Sequence, residues 1–516
     1  MTERFLSAEP EVRLTKAFST PFQNVIATAR TCYSGGGIVP EETVDDRWRG
    51  LARSLYQAGH HTTIQHGQVQ FAIANVSRHF LWSFLHSSTF YNSEQVSQRY
   101  VAVKPGTVAV PPLPPAAERV FRETVAGQMA GYRRLKERLA PAAAAAYFSR
   151  FPARRTHAAR FRRDVQRKAQ EVARYVLPVA TFAYLYHTVS AITLLRYARL
   201  VNAFDTPLEQ RIVIGKMVEA LLEFDPEYRT ILEEPLPLEE LPEHAHFAAR
   251  GAPDAAARRV RREAFDRSLE GRTSKLVDWK LNNEPLLAES VREVLGSPPG
   301  ELTDEEAIEL ALSPARNRLL GEPLNLATHG KLTRTLYHPH YTFRKRLSHA
   351  ADSQDQRHRT TPGSRPVLAA VLEDEPDYVT PTLLHEDAGC LADYRDTMTW
   401  TWERMRDFRC AGGSEEFAQY LLPNAVAIRF TESADLLNLY HKHNMRLCYN
   451  AQEEIWRASV DEAEQVREIN PFIGRFLLPP CTTRMLAGAR PYCPEGPRYC
   501  GERVWTYDLS QFQRVI

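Results

Sequence analysis

Ala173-Arg174-Tyr175-Val176-Leu177-Pro178-Val179-Ala180 returns 245 residues later as Ala418-Gln419-Tyr420-Leu421-Leu422-Pro423-Asn424-Ala425. In the same ungapped frame Leu194 meets Leu439, Glu209 meets Glu454, Glu223 meets Glu468 and Pro226 meets Pro471. Upstream, at an offset of 272, His66 and Phe71 meet His338 and Phe343. Two windows in the same order indicate an internal duplication, each copy being one structural unit. Each copy opens on a helical region, passes through strand-like runs such as Gln68 to Val76 and Tyr341 to Phe343, and ends in long helices. The matched frame itself reads as an apolar, proline-started helical segment followed by a charged amphipathic one. The predicted class is α+β, with more helix than strand. Between the copies, Glu233-Glu234-Pro235-Leu236-Pro237-Leu238-Glu239-Glu240-Leu241-Pro242 is acidic and proline-rich, and an Ala/Arg stretch follows from Ala248 to Arg262. That connector puts the boundary near residue 245, giving copies at 1–240 and 241–516.

The rest of the composition narrows the class. The chain has 516 residues, 43% of them apolar, ample for a buried core. Lys plus Arg is 65 and Asp plus Glu is 63, a net charge of +2 that argues against a dedicated nucleic-acid binder. No apolar run approaches the ~18 to 20 residues of a membrane helix, and Met1-Thr2-Glu3-Arg4 does not open a signal peptide. The expectation is a soluble, cytoplasmic protein without membrane or nucleic-acid partners. Seven cysteines do not make a disulfide scaffold. Cys481, Cys493 and Cys500 fit no compact zinc signature even with Cys448 as a fourth ligand, and no metal is expected.

Four segments could carry chemistry. Ser93-Glu94-Gln95-Val96-Ser97-Gln98-Arg99-Tyr100 offers a hydroxyl and a guanidinium two positions apart, which suits a phosphate, although Ser-x-Arg alone is not specific. Gln354-Asp355-Gln356-Arg357-His358-Arg359-Thr360 concentrates positive charge; it reads either as an exposed basic turn or as the partner of an anion or an electron-rich ring such as a reduced flavin. Asn444-Met445-Arg446-Leu447-Cys448-Tyr449-Asn450-Ala451-Gln452-Glu453-Glu454 sets one arginine before an amide-rich helix start, suited to a pyrimidine or to a capping salt bridge. Gly59-His60-His61-Thr62-Thr63-Ile64-Gln65-His66 has no Cys or carboxylate at metal-ligand spacing. From Arg150 to Lys168 eight basic residues face one acid, Asp164; this is an anion-binding face or, more commonly, a solvated helix face.

Together these segments resemble the flavin-dependent thymidylate synthases. That family carries an Arg-His-Arg with spaced Ser, Asn, Ser and Arg, a preceding His-rich segment, and a late Arg six residues before a Gln. Here the pattern is divided. The first copy keeps Ala29-Arg30-Thr31-Cys32-Tyr33-Ser34, the His-rich segment (with Gln65 for the usual acid) and Ser97-Gln98-Arg99, but has Leu85-His86-Ser87-Ser88-Thr89 where Arg-His-Arg belongs and Val201 opposite Arg446. The second keeps His338 to Phe343, Gln354, Arg357-His358-Arg359, Arg446 and Gln452, while its Ser-x-Arg place falls on Val367 and Ala369. Each copy is degenerate where the other is intact.

The resemblance implies two tandem copies of a fold with a central antiparallel sheet and long helices. It implies reductive methylation of dUMP to dTMP, with carbon from methylenetetrahydrofolate and NADPH reducing bound FAD. Gln95, Ser97, Gln98, Arg99, Gln354, Arg357 and Arg446 are then the dUMP-binding candidates, with Arg446 also catalytic. Arg357, His358, Arg359, His60, Thr62, His441 and Asn450 are the cofactor candidates. No cysteine nucleophile is required in this chemistry. A homodimer forming a pseudo-tetramer is expected. The losses in both copies leave a second reading, a non-catalytic flavin- or nucleotide-binding paralogue.

Overall fold

Alternation along the chain decides the strands. From Val69 the buried side chains are Val69, Phe71 and Ile73, and from Tyr341 they are Tyr341, Phe343, Lys345 and Leu347, a period of two with the other face more open. In the computed structural model, which describes residues 4–203 and 206–514, these runs are the second strand of two equivalent sheets. One sheet runs β1-β2-β4-β3, with β1 Glu11–Ala17, β2 Gln68–Ser77, β3 Asn92–Gln95 and β4 Phe182–Ser190. The other runs β5-β6-β8-β7, with β5 Ser274–Trp279, β6 His340–Ser348, β7 Gly363–Ser364 and β8 Ala427–Asp435. Every pairing is antiparallel. The registers coincide: Phe71 opposes His187, and Phe343 opposes Glu432. A bulge between Ile73 and Val76, where Asn75 takes φ 57°, adds one residue to the first copy.

The matched proline-started segment is not the helix its apolar run predicts. It is one 3₁₀ turn, Arg174–Val176 or Gln419–Leu421, then an extended stretch, then β4 or β8. Leu177 and Leu422 sit before prolines and are held extended, at ψ 139° and 134°. The strands then alternate too regularly for a helix.

Those extended stretches join the copies. Pro178 bridges Pro423; Val179 N–H donates to Leu422 O at 2.8 Å and Ala180 N–H to Tyr420 O at 2.9 Å. The reciprocal bonds run from Asn424 N–H to Leu177 O at 2.8 Å and from Ala425 N–H to Tyr175 O at 2.9 Å. Shifting each residue by 245 exchanges the two sets, so a pseudo-twofold axis passes between the prolines. Side chains obey it too. Ser77 caps helix Arg78–His86 and donates from Oγ to buried Glu209 at 2.6 Å, while Tyr420 of the other copy donates to the same carboxylate at 2.7 Å. Ser348 caps helix His349–Asp355 and donates to Glu454 at 2.6 Å, with Tyr175 donating at 2.5 Å.

Helix Pro115–Arg150 crosses helix Ala388–Cys410 closely, because Gly127 and Gly131 lie against Trp400 and Thr397. One apolar core therefore contains residues of both copies, among them Phe121, Met129, Tyr394, Met398 and Phe408. Two further cores belong one to each sheet. Helices Pro242–Arg250 and Ala255–Ser268, which bury no residue fully, occupy the connector. Among the described residues no helix is long and apolar enough to cross a membrane.

Candidate functional site

The pseudo-twofold brings the edge strand β3 of the first copy against the loop after helix His349–Asp355 of the second. Arg357 donates from Nη2 to both Glu94 carboxylate oxygens at 2.6 Å. Arg359 donates to Asn92 Oδ1 at 3.2 Å and lies over the Tyr91 ring at 5.0 Å. The intact half of each copy thus meets the other within one chain.

Arg446 ends helix Leu436–Arg446 and reaches back to the same loop. Its Nε donates to His358 Nε2 at 2.8 Å and its Nη2 to Gln354 O at 2.8 Å. Because His358 Nε2 accepts, the ring proton lies on Nδ1. Burial and the Arg446 charge push the His358 pKa well below the imidazole range, so the ring is neutral. Gln354 Nε2 bonds Gln452 Oε1, and its own Oε1 is buried with no partner among the described residues.

Arg99 donates from Nε to Glu171 at 2.5 Å and from Nη2 to Asn450 O at 2.8 Å. Arg174 donates from Nη2 to Gln452 Oε1 at 2.7 Å. Arg78 donates from Nη1 to Gln95 Oε1 at 2.9 Å, and its Nε has no partner among the described residues. Guanidinium groups from both copies therefore lie close together, with Glu171 as counter-charge to Arg99, Arg174 and Lys168 and Asp355 as counter-charge to Arg446. Burial and neighbouring arginines pull both Arg446 and Arg78 down to about 10, and Lys168 is lowered to about 8 by burial, Arg514 and Arg99. Glu171 is held at about 2, its arginine and lysine neighbours outweighing burial. Cations left under-neutralised in a buried place call for an anion, and several guanidinium forks suit a phosphate.

Two hollows flank this region. A cleft of about 750 Å³ is lined by Tyr91, Arg357, His358, Arg359, His441 and Arg446. The other, about 160 Å³, is lined by Arg99, Arg154, Lys168, Glu171 and Arg514, with Asn450 at its edge. The structure thus puts Arg357, His358, Arg359, His441 and Arg446 together, and Arg99 with Asn450 on the other side. His441 stands near His358, with ring centroids 6.2 Å apart. His60 and Thr62 are exposed and do not line either hollow, whereas Gln65 and Gln68 of that segment reach the cleft. Gln98 turns inward: it donates to Thr181 and accepts from Asn424, which occupies both ends of its amide. Ser97 Oγ accepts from Arg99 N–H at 3.3 Å.

The pseudo-equivalent seam is built differently. Ser83, Val201, Ala369 and Gln419 stand where Gln354, Arg446, Arg99 and Arg174 stand in the first. Arg365, in the place of Gln95, is spent on Asp352 at 2.7 Å, and Asp352 also accepts from Trp82 Nε1 at 2.6 Å. Trp82 and Arg365 thus converge on Asp352 there, while Gln419 Oε1 is buried with no partner among the described residues.

Arg174, Lys168 and Glu171 join the region without matching any of the four sequence segments. Arg174 carries a signal: it sits inside the duplicated frame opposite Gln419, a charge between Ala173 and Tyr175, which are the same in both copies. Lys168 and Glu171 were hidden in a basic helix, and only the fold turns their side of it toward Arg99. Cys481, Cys493 and Cys500 are free thiols, and no three metal-ligating side chains converge among the described residues.

The family model described as thymidylate synthase complementing protein matches residues 13–227 and 275–472, once in each copy. A flavin-dependent thymidylate synthase of Thermococcus kodakarensis is 28% identical over 168 residues, 30% of this chain and 66% of that enzyme. One from Sulfurisphaera tokodaii is 27% identical over 28% of this chain and 57% of its own length. One from Clostridium tetani is 25% identical over 37% and 73%. The chain thus matches just under two thirds of the first of these enzymes and less of the second. The crystal structure of the UMP/dUMP methylase PolB from Streptomyces cacaoi bound with 5-Br dUMP aligns at a TM-score of 0.31 and 19% identity, covering 47% of this chain and 96% of that one.

Proposed function

Because the chain belongs to the thymidylate synthase complementing protein family, we propose that it is a flavin-dependent thymidylate synthase, reductively methylating dUMP to dTMP with methylenetetrahydrofolate as carbon donor and NADPH as reductant. The observation that carries this is the single complete seam, where Arg357 of one copy reaches Glu94 of the other and Arg446 shares a buried region with Arg99. Copies 1–240 and 241–516 each supply half of it, and two chains pair as a cytoplasmic homodimer.

The donor set fits the groups. The larger cleft joins flat surfaces, Tyr91 and His441, to a cationic rim of Arg357 and Arg359, as an electron-rich ring needs. FAD bound there would supply the hydride that replaces thiolate attack on the nucleotide. Arg99, with Lys168, holds the phosphate; Ser97 accepts from the Arg99 N–H, Gln98 fixes the backbone from within, and Arg174 and Gln95 stand behind, on Gln452 and Arg78. Gln354 offers its unpartnered amide oxygen to the nucleotide. Arg446 faces the uracil, where its charge favours the negative charge that develops on the N3/O2 edge as C5 becomes nucleophilic. Neutral His358 receives the Arg446 Nε proton as a hydrogen bond and so keeps that guanidinium aimed.

The test is a visible spectrum of purified protein reconstituted with FAD, then titration with dUMP, then turnover with methylenetetrahydrofolate and NADPH. A yellow protein whose spectrum shifts with dUMP and which forms dTMP is expected. A protein that takes up no FAD contradicts the reading. FAD uptake without turnover would instead identify the non-catalytic paralogue.

Lys168 adds a pH dependence. Its ammonium, already lowered to about 8, must be charged to assist the phosphate. Above that pH binding has to take up a proton, so dUMP affinity falls by up to about tenfold per pH unit until the bound-state pKa is reached. Below it the affinity is flat with respect to this group. Calorimetry from pH 7 to 10 on the parent and on Lys168→Met checks this; the variant loses the dependence.

A further inference from the structure

Behind the Arg357-His358-Arg359 loop lies a buried group of charges to which the reaction above assigns no part. Lys345, on the core face of β6, is 2.8 Å from Glu432, 2.7 Å from Glu462 and 3.4 Å from Asp355. Lys442 is 2.6 Å from Asp355 and also bonds Glu432. All five side chains are at most 1% exposed. His443 joins the group at Glu462, 2.9 Å away. Burial of this many charges is costly, and apolar residues of similar volume commonly replace such groups with no loss of stability.

The duplication provides the control. At the same positions the first copy has Ile73, Phe84, His187, Tyr197 and Met217, with Ala198 opposite His443. All are buried, and Phe84 lies against His187 at 4.7 Å and Tyr197 at 5.2 Å between ring centroids. Strand order and register are the same in both copies, so this fold does not need the charges. They persist in the copy that keeps the Arg357–Arg359 loop and Arg446. Their placement fits that distribution: Asp355 closes the helix two residues before Arg357, and Lys442 stands one turn before Arg446 on its own helix.

We propose that Lys345, Asp355, Glu432, Lys442 and Glu462 are positioning residues that lock the base of the Arg357–Arg359 loop to the helix carrying His441 and Arg446. This rests on the reading of that loop as the flavin site. Two lysines bridging three carboxylates fix direction and register as apolar packing does not, and Arg446 can meet His358 and Gln354 O only if loop and helix keep one register.

The test gives the second copy the first copy's residues: Lys345→Ile, Asp355→Phe, Glu432→His, Lys442→Tyr and Glu462→Met together. The expected chain melts at or above the parent temperature, while its FAD Kd rises about 10- to 100-fold and amide exchange across residues 356–361 speeds by about tenfold or more. A folded chain with unchanged FAD affinity and unchanged exchange overturns the proposal. If the fivefold exchange does not fold, Lys442→Met decides by the same two readouts, with unchanged values overturning it. A parent chain that binds no FAD defeats the flavin reading instead, and loop exchange then decides the positioning role alone.

Discussion

Arg99→Ala is expected to weaken dUMP binding by ~30- to 1000-fold, about 2–4 kcal/mol, the effect of losing a desolvated charge-assisted fork. Arg99 has its guanidinium carbon 5.6 Å from the Tyr100 ring centroid, a Glu171 contact at Nε and the Asn450 carbonyl at Nη2, so the group is held before any ligand arrives. Part of the effect comes from leaving Glu171 buried without its nearest cation. Arg99→Lys separates the two contributions: it keeps the charge but not the fork, and recovers only part of the affinity. Equilibrium titration of both variants reads the result directly. Unchanged affinity in Arg99→Ala would show that the first copy's Ser-x-Arg does not hold the phosphate.

The second large effect falls on the rate. Arg446→Ala is expected to lower kcat by roughly 10²- to 10³-fold, as removal of one preorganised donor from a developing negative charge does. Its guanidinium is already oriented by His358 and Gln354 O, so little reorganisation is left for the reaction to bear. Nucleotide binding should fall less than turnover, because the phosphate contacts proposed above belong to Arg99 and Lys168. Single-turnover formation of dTMP separates the two effects. A variant that loses only affinity would move Arg446 from the reacting ring to the phosphate.

The fold was legible chiefly because the chain carries it twice. The 245-residue offset exposed the duplication, and Tyr175, Tyr420, Glu209 and Glu454, which lie on that offset, cross the pseudo-twofold to bond one another. The apolar runs 173–180 and 418–425 look helical, because an apolar run looks alike in helix and extended chain until the alternation of Leu185, His187 and Val189 after the proline is weighed. Within the site, Arg357, His358, Arg359, Arg446 and Arg99 stood out as charge in unusual company. Gln98 did not reveal that its amide faces Thr181 and Asn424, because one sequence shows residue type and not direction. The Lys345 cluster was invisible for a related reason: lysines and acids spread over strand and helix look like solvated surface until the pleat turns Lys345 inward.

If the two degenerate copies share one complete site per chain, released FAD quantified against protein in a reconstituted sample of known mass reads the number of sites. The expected value is about one FAD per chain, since one kind of seam holds Arg357, Arg359 and Arg99 while the other is closed by Trp82, Asp352 and Arg365. Two FAD per chain would show that the second seam binds as well and that the copies are not complementary halves.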